Sequence, residues 1–159
     1  MSNAASPVLS QSALLNNTDI SALTVSNTDL FFAGARDVDK LTGVTSPAFV
    51  GKIGLNAGAI TTSVSYKEIG GYVANSVSAD AGSLYVSSGN TNGGVFVMDK
   101  NTLNVNSQIN VDGVKDVSLG TLDFATIDGA YQGSAAQKLN IYNKANNTLV
   151  RSVTLPAGI

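Results

Sequence analysis

Short apolar stretches recur along the chain, each closed by a cluster of Gly, Asn, Asp, Ser or Thr. In Asn104-Val105-Asn106-Ser107-Gln108-Ile109-Asn110-Val111, apolar residues mostly alternate with amides, the period of a strand with one wet face. Val95-Phe96-Val97-Met98 is apolar on both faces, which predicts a strand covered on both sides. No window carries a helical period. The pattern predicts an all-β chain of twelve strands in three units of four. The first unit is Ser21–Ser26, Asp29–Gly34, Ala48–Leu55 and Thr61–Ile69. The second is Val73–Ala79, Ser83–Ser88, Gly94–Asp99 and Asn104–Val111. The third is Asp116–Leu119, Leu122–Ile127, Lys138–Asn143 and Leu149–Leu155.

Internal repetition supports the division. Val95-Phe96-Val97-Met98-Asp99-Lys100-Asn101-Thr102-Leu103 parallels Leu139-Asn140-Ile141-Tyr142-Asn143-Lys144-Ala145-Asn146-Asn147-Thr148-Leu149. Each is a strand, an Asp/Asn-Lys pair, a polar turn and Asn-Thr-Leu opening the next strand. Aligned on Asn-Thr-Leu, the second copy has two extra turn residues. Ser83-Leu84-Tyr85-Val86 matches Thr121-Leu122-Asp123-Phe124 with Leu84 set against Leu122, and a looser copy runs from Ala22 to Gly34. The domain expected is residues 20–155, with units at about 20–70, 71–113 and 114–155. Residues 1–19 read as a tag or leader remnant (Met1-Ser2-Asn3-Ala4) and a flexible N-terminus, and 156–159 as a tail.

Three inner strands and one half-exposed outer strand make a propeller blade, since blades stack face to face and the outermost strand meets solvent. Asn92-Gly93, between two strands, suits a hairpin turn with positive φ. Ser76-Val77-Ser78-Ala79-Asp80, leading into Gly82-Ser83-Leu84-Tyr85-Val86 and then Gly94-Val95-Phe96-Val97-Met98-Asp99-Lys100, resembles bacterial β-propeller repeats of the LVIVD and YVTN-like kinds. The resemblance covers about Ile20 to Leu155 and is strongest from Val73 onward. It implies a propeller-like fold of about three four-stranded antiparallel blades; a β-sandwich or β-solenoid is the alternative. Propellers have 4–8 blades, so three would form an arc with two large apolar end faces. A homodimer closing a six-bladed ring, or further blades in the native chain, would complete it.

Composition narrows the chemistry. Charged residues are 13% of the 159, so the surface is built from Ser, Thr, Asn and Gly, and Glu68 is the only glutamate. A net charge of −2 with scattered Lys and Arg argues against nucleic acid as partner. No apolar run reaches the roughly 20 residues of a membrane-spanning helix. With no His, Cys or Trp, the Ser-His-Asp triad, thiolate catalysis and imidazole metal sites are excluded. The aspartates, including Asp19, Asp29, Asp80, Asp99, Asp112 and Asp128, read as turn or strand-end residues satisfying local backbone donors. Asp37 and Asp39 are the best metal candidates, because alternating aspartates in a loop can give oxygens to calcium. Further acids and a closing glutamate are missing, so the favoured reading is a solvated turn neutralised by Arg36 and Lys40. Asn90-Thr91-Asn92-Gly93-Gly94 lacks the Lys-Ser/Thr and helix of a phosphate loop and reads as a hairpin. Asn16-Asn17-Thr18 and Asn146-Asn147-Thr148 match glycosylation acceptors, as chance alone produces in an Asn-rich chain. Tyr85, Phe96, Phe124 and Tyr142 fall inside strands and are expected to pack between blades.

No catalytic residue, cofactor or firm metal site is therefore expected. The leading expectation is a non-enzymatic binding or scaffolding module of a secreted, periplasmic or cell-surface bacterial protein, with a protein or glycan ligand. It would bind through loops at one rim: 89–94, 128–137 and 35–47. The alternatives are a fragment of a larger propeller enzyme whose catalytic residues lie elsewhere, and a structural stalk or adhesin repeat.

Overall fold

The computed structural model describes residues 18–36, 47–56, 59–89, 92–129 and 136–156. Twelve strands form, each within three residues of its predicted bounds: β1 (Thr18–Ser26), β2 (Asp29–Arg36), β3 (Ala48–Asn56), β4 (Ala59–Ile69), β5 (Ala74–Ala79), β6 (Ser83–Ser88), β7 (Gly94–Asp99), β8 (Val105–Ile109), β9 (Val114–Leu119), β10 (Asp123–Asp128), β11 (Lys138–Asn143) and β12 (Leu149–Thr154). Among the described residues there is no helix. The strands form three separate antiparallel sheets, β1-β2-β3-β4, β5-β6-β7-β8 and β9-β10-β11-β12, hereafter blades 1, 2 and 3. Each is a simple meander. The first strands of successive blades lie side by side, β1 against β5 and β5 against β9. The result is propeller-like: inner strands gather at an axis, sheets radiate from it, and the arc does not close.

Burial follows the sequence pattern. β7 is buried along Gly94–Met98, and β8 is largely exposed. Alternate residues of each middle strand face opposite neighbours. Phe31, Ala33, Ala48 and Val50 of blade 1 pack on Val77, Leu84, Val86, Phe96 and Met98 of blade 2. The other face of blade 2, with Tyr85, Val95 and Val97, packs on Val114, Val117, Phe124 and Tyr142 of blade 3. Phe124 lies between two rings there, with centroids 5.0 Å from Tyr85 and 5.1 Å from Tyr142. The aromatics thus pack between blades, as the strand pattern predicts.

Polar side chains of β5 add a ladder across the second junction. Asn75 Nδ2 donates to the Val114 carbonyl (2.7 Å), Ser78 Oγ donates to the Val117 carbonyl (3.0 Å), and the Val117 N–H donates to Ser76 Oγ (2.9 Å). Neighbouring inner strands in separate sheets are thereby tied through side chains.

The structure corrects two alignments. Asp99 and Asn143 open turns of equal length, closed by Leu103 N–H to Asp99 C=O and by Asn147 N–H to Asn143 C=O. The two Asn-Thr pairs therefore occupy different turn positions, and the second copy has no extra turn residues. The position of positive φ is filled by Leu103 in one turn and Asn147 in the other, both at 58°. Similarly, Leu122 is not the counterpart of Leu84. It lies in the β9–β10 turn, 74% exposed, and Phe124 takes the core position.

Phe124→Ala removes the middle ring of the seam and is expected to cost about 3–5 kcal/mol. Urea unfolding checks this; a loss near zero would mean that blades 2 and 3 do not depend on the seam.

Candidate functional site

The meander sorts the connections between two ends. In every blade the turns from first to second and from third to fourth strand lie at one, the turn end. The connections β2–β3, β6–β7 and β10–β11 lie at the other, together with the links between blades. The turn end is tightly bonded. Asp80 Oδ1 accepts from the N–H groups of Gly82 and Ser83, and Asp99 Oδ1 accepts from Asn101, Thr102 and the Thr102 hydroxyl. These two aspartates cap turns, as expected.

A pair of lysines also works at this end. Lys100 follows β7 and is 5% exposed; its Nζ donates to Ser26 Oγ of blade 1 (3.2 Å) and to the Asp80 carbonyl (2.9 Å). Lys144 follows β11, and its Nζ reaches Asp80 Oδ2 of blade 2 at 3.3 Å while standing 5.5 Å from the Tyr85 ring centroid. Ser26 ends β1 and Asp80 directly follows β5, at corresponding positions of their blades. Each lysine therefore clamps the corresponding turn of the preceding blade. The Asp/Asn-Lys repeat was visible in sequence. Its role was not, because a lysine in a polar turn reads as solvated.

At the other end, the three connections singled out as binding loops emerge together. The link Gly70–Val73 is bonded among them: Ala48 N–H donates to Gly71 C=O, Tyr72 N–H to Gly89 C=O, and Gly89 N–H to Val73 C=O. Gly71 has φ +97°, and a Cβ there would lie 2.0 Å from Ser88 Oγ, so only glycine fits. Gln108 Nε2 donates to the carbonyls of Asn92 (3.2 Å) and Gly93 (3.0 Å), and Asn92 takes φ 65°. Tyr72 is exposed beside these groups. This end offers amides, carbonyls and an aromatic ring, a surface suited to hydrogen bonding and stacking.

Asp37 and Asp39, and residues 90–91 and 130–135 of the other loops, lie outside the described residues. Arg36 pairs with Glu68 on β4 and stands 5.6 Å from the Tyr66 ring centroid. β4 thus brings Glu68 within reach of Arg36 at the end of β2. Its hydrogen bond to Glu68 is the main cause that raises the Arg36 pKa. Asp128 closes β10, a strand end as expected, but its Oδ1, like Thr126 Oγ1, is buried without a hydrogen-bond partner rather than satisfying a local backbone donor. Burial pushes the Tyr142 phenol up, the Asp128 charge adds to this, and Thr126 acts the other way. Among the described residues, no three His, Cys, Asp or Glu side chains gather as a metal site would require, and no helix is long and apolar enough to cross a membrane. No protein-family model matches the chain, and no curated protein matches it either.

Two outcomes follow at the turn end. Lys100→Ala removes two charge-assisted hydrogen bonds and should cost about 1–3 kcal/mol, read by urea or thermal unfolding. Acid should also destabilise the fold. Burial alone would raise the Asp80 pKa, but the Ser83 and Gly82 N–H groups and Lys144 more than offset it, and the carboxyl sits below its ordinary value. The Thr102 N–H and hydroxyl lower Asp99 likewise. A folded-state pKa below the unfolded one gives stability that is present above about pH 4 and is lost as pH falls through the lowered value. Urea midpoints should drop between about pH 5 and about pH 2. Asp80→Asn should flatten that drop; an unchanged slope would remove Asp80 as a cause.

Proposed function

We propose that this chain is a non-enzymatic binding or scaffolding module of a secreted or cell-surface bacterial protein, built from propeller repeats akin to the LVIVD and YVTN-like kinds. Its ligand, a protein or a glycan, is met at the end where the connections β2–β3, β6–β7 and β10–β11 emerge. The observation that carries this reading is the asymmetry between the ends: one is closed by short, internally bonded turns, and the other carries every long connection on a rigid frame. Binding residues concentrate on such loops. The arc is completed as a ring by further blades, from a second copy or from elsewhere in the native protein.

The test is capture from the cell envelope of the source organism, together with a glycan array. Replacing residues 37–46 by a Gly-Ser segment of equal length should abolish capture and leave the melting temperature unchanged. Leu122→Ser at the turn end should leave capture intact. Equal capture by all three proteins would overturn the proposal.

A further inference from the structure

Blades 1 and 3 each carry a face whose counterparts are buried at the existing junctions, and the sheet register makes the positions comparable. Leu23 of β1, Val77 of β5 and Val117 of β9 pair with Phe32, Val86 and Thr126 in the middle of the next strand. Val77 is 5% exposed and Val117 2%, because a preceding blade covers them; Leu23 is 64% exposed. Val25, beside it on the same face, is 61% exposed. At the far end, Ile127 and Leu139 stand where Ser87 and Val95 stand in blade 2. Ser87 and Val95 are fully buried; Ile127 and Leu139 are only half-buried. On blade 1 the two middle strands of the face are already buried at Phe32, Phe49 and Ile53, so its open parts are the strip along β1 and the exposed Tyr66 on β4. A terminal repeat that caps an array carries a polar outer face; these two expose apolar residues, Leu23 and Val25 on one and Val153 on the other.

The lysine clamp is missing at both ends in matching fashion. Leu55 occupies the position of Lys100 and Lys144: its N–H bonds Thr28 C=O as theirs bond Gly82 and Leu122. Gly120 occupies the position of Ser26 and Asp80, directly after its blade's first strand. A blade without the lysine thus suits a blade without the acceptor. A following blade made to the repeat would bring an ammonium to Gly120, which has no side-chain oxygen to receive it. Charge also fits. Arg151 lies opposite Ile141 on the open face of blade 3, exposed and without an ion-pair partner among the described residues. The register sets it level with Ser65 on β4, next to Tyr66 and Glu68 on the face of blade 1, where Glu68, already paired with Arg36, offers a carboxylate for two guanidinium groups to share.

We infer that a second copy of this chain lays its blade 1 on blade 3 of the first, and reciprocally, closing a six-bladed ring through two identical junctions. Each junction joins unlike faces, and the two-fold axis relating the copies makes the whole contact isologous. The inference rests on the propeller-module reading above and names its partner. Light scattering after size exclusion, on the full chain at micromolar concentration, should give twice the 16.2 kDa chain mass. Leu23→Asp and Val153→Asp, at exposed positions on the two faces, should each give a monomer with unchanged circular dichroism. Arg151→Glu should weaken the dimer by roughly tenfold. A monomeric wild type, a dimer that survives either aspartate, or a growing series of oligomers would overturn the inference. A monomer that still captures its ligand would sink the ring and leave the module standing; a dimer whose capture ignores the loop replacement would do the reverse.

Discussion

The face of one sheet laid on the next is the contact on which the remaining structure depends. A strand such as β7, apolar on both sides, has no stable place in an isolated four-stranded sheet, because one of its faces would meet water. Blade 2 resolves this by packing on both neighbours, Leu84 and Phe96 toward blade 1, Tyr85 and Val97 toward blade 3. The hydrogen-bond ladders build the blades, and the burial between them makes one molecule of three. The side-chain bonds from β5 to the backbone of β9 then fix how far the inner strands can slide.

The two ends of the frame divide the work. At the turn end the polar atoms are spent internally: aspartates on backbone donors, lysines on the preceding blade. At the connection end, backbone bonds around Gly71 and Gly89 anchor the loop bases, while Tyr72 and Asn92 face outward. Rigidity at the base with variety at the tip is the arrangement by which one fold can serve many ligands.

The strands were readable because burial writes itself into alternation, and β8 and β7 show its two limits, one face wet and both faces covered. Turn chemistry was readable where Asn or Asp supplied it, as at Asn92, Asp80 and Asp99. It failed at Leu103, since a leucine at positive φ is uncommon and nothing local announces it. The same blind spot produced the misplaced alignments: Leu122 looked like a core residue because it is apolar, although it sits in a turn. Lys100 was hidden for the opposite reason. Its burial depends on Ser26, distant in sequence and brought near only when the blades meet. Of the candidate site, the shared end of the three connections follows from the meander. The Arg36–Glu68 pair, across two strands, does not.

The clamp has a direction. Lys100 belongs to blade 2 and grips blade 1; Lys144 belongs to blade 3 and grips blade 2. In both cases the reaching group comes later in the chain than the group it reaches. A ribosome releases the chain in that same order, so each new blade arrives carrying the tether to a surface already made. Assembly can therefore proceed like a zip, blade by blade, each tether fastening its own blade to the one before it.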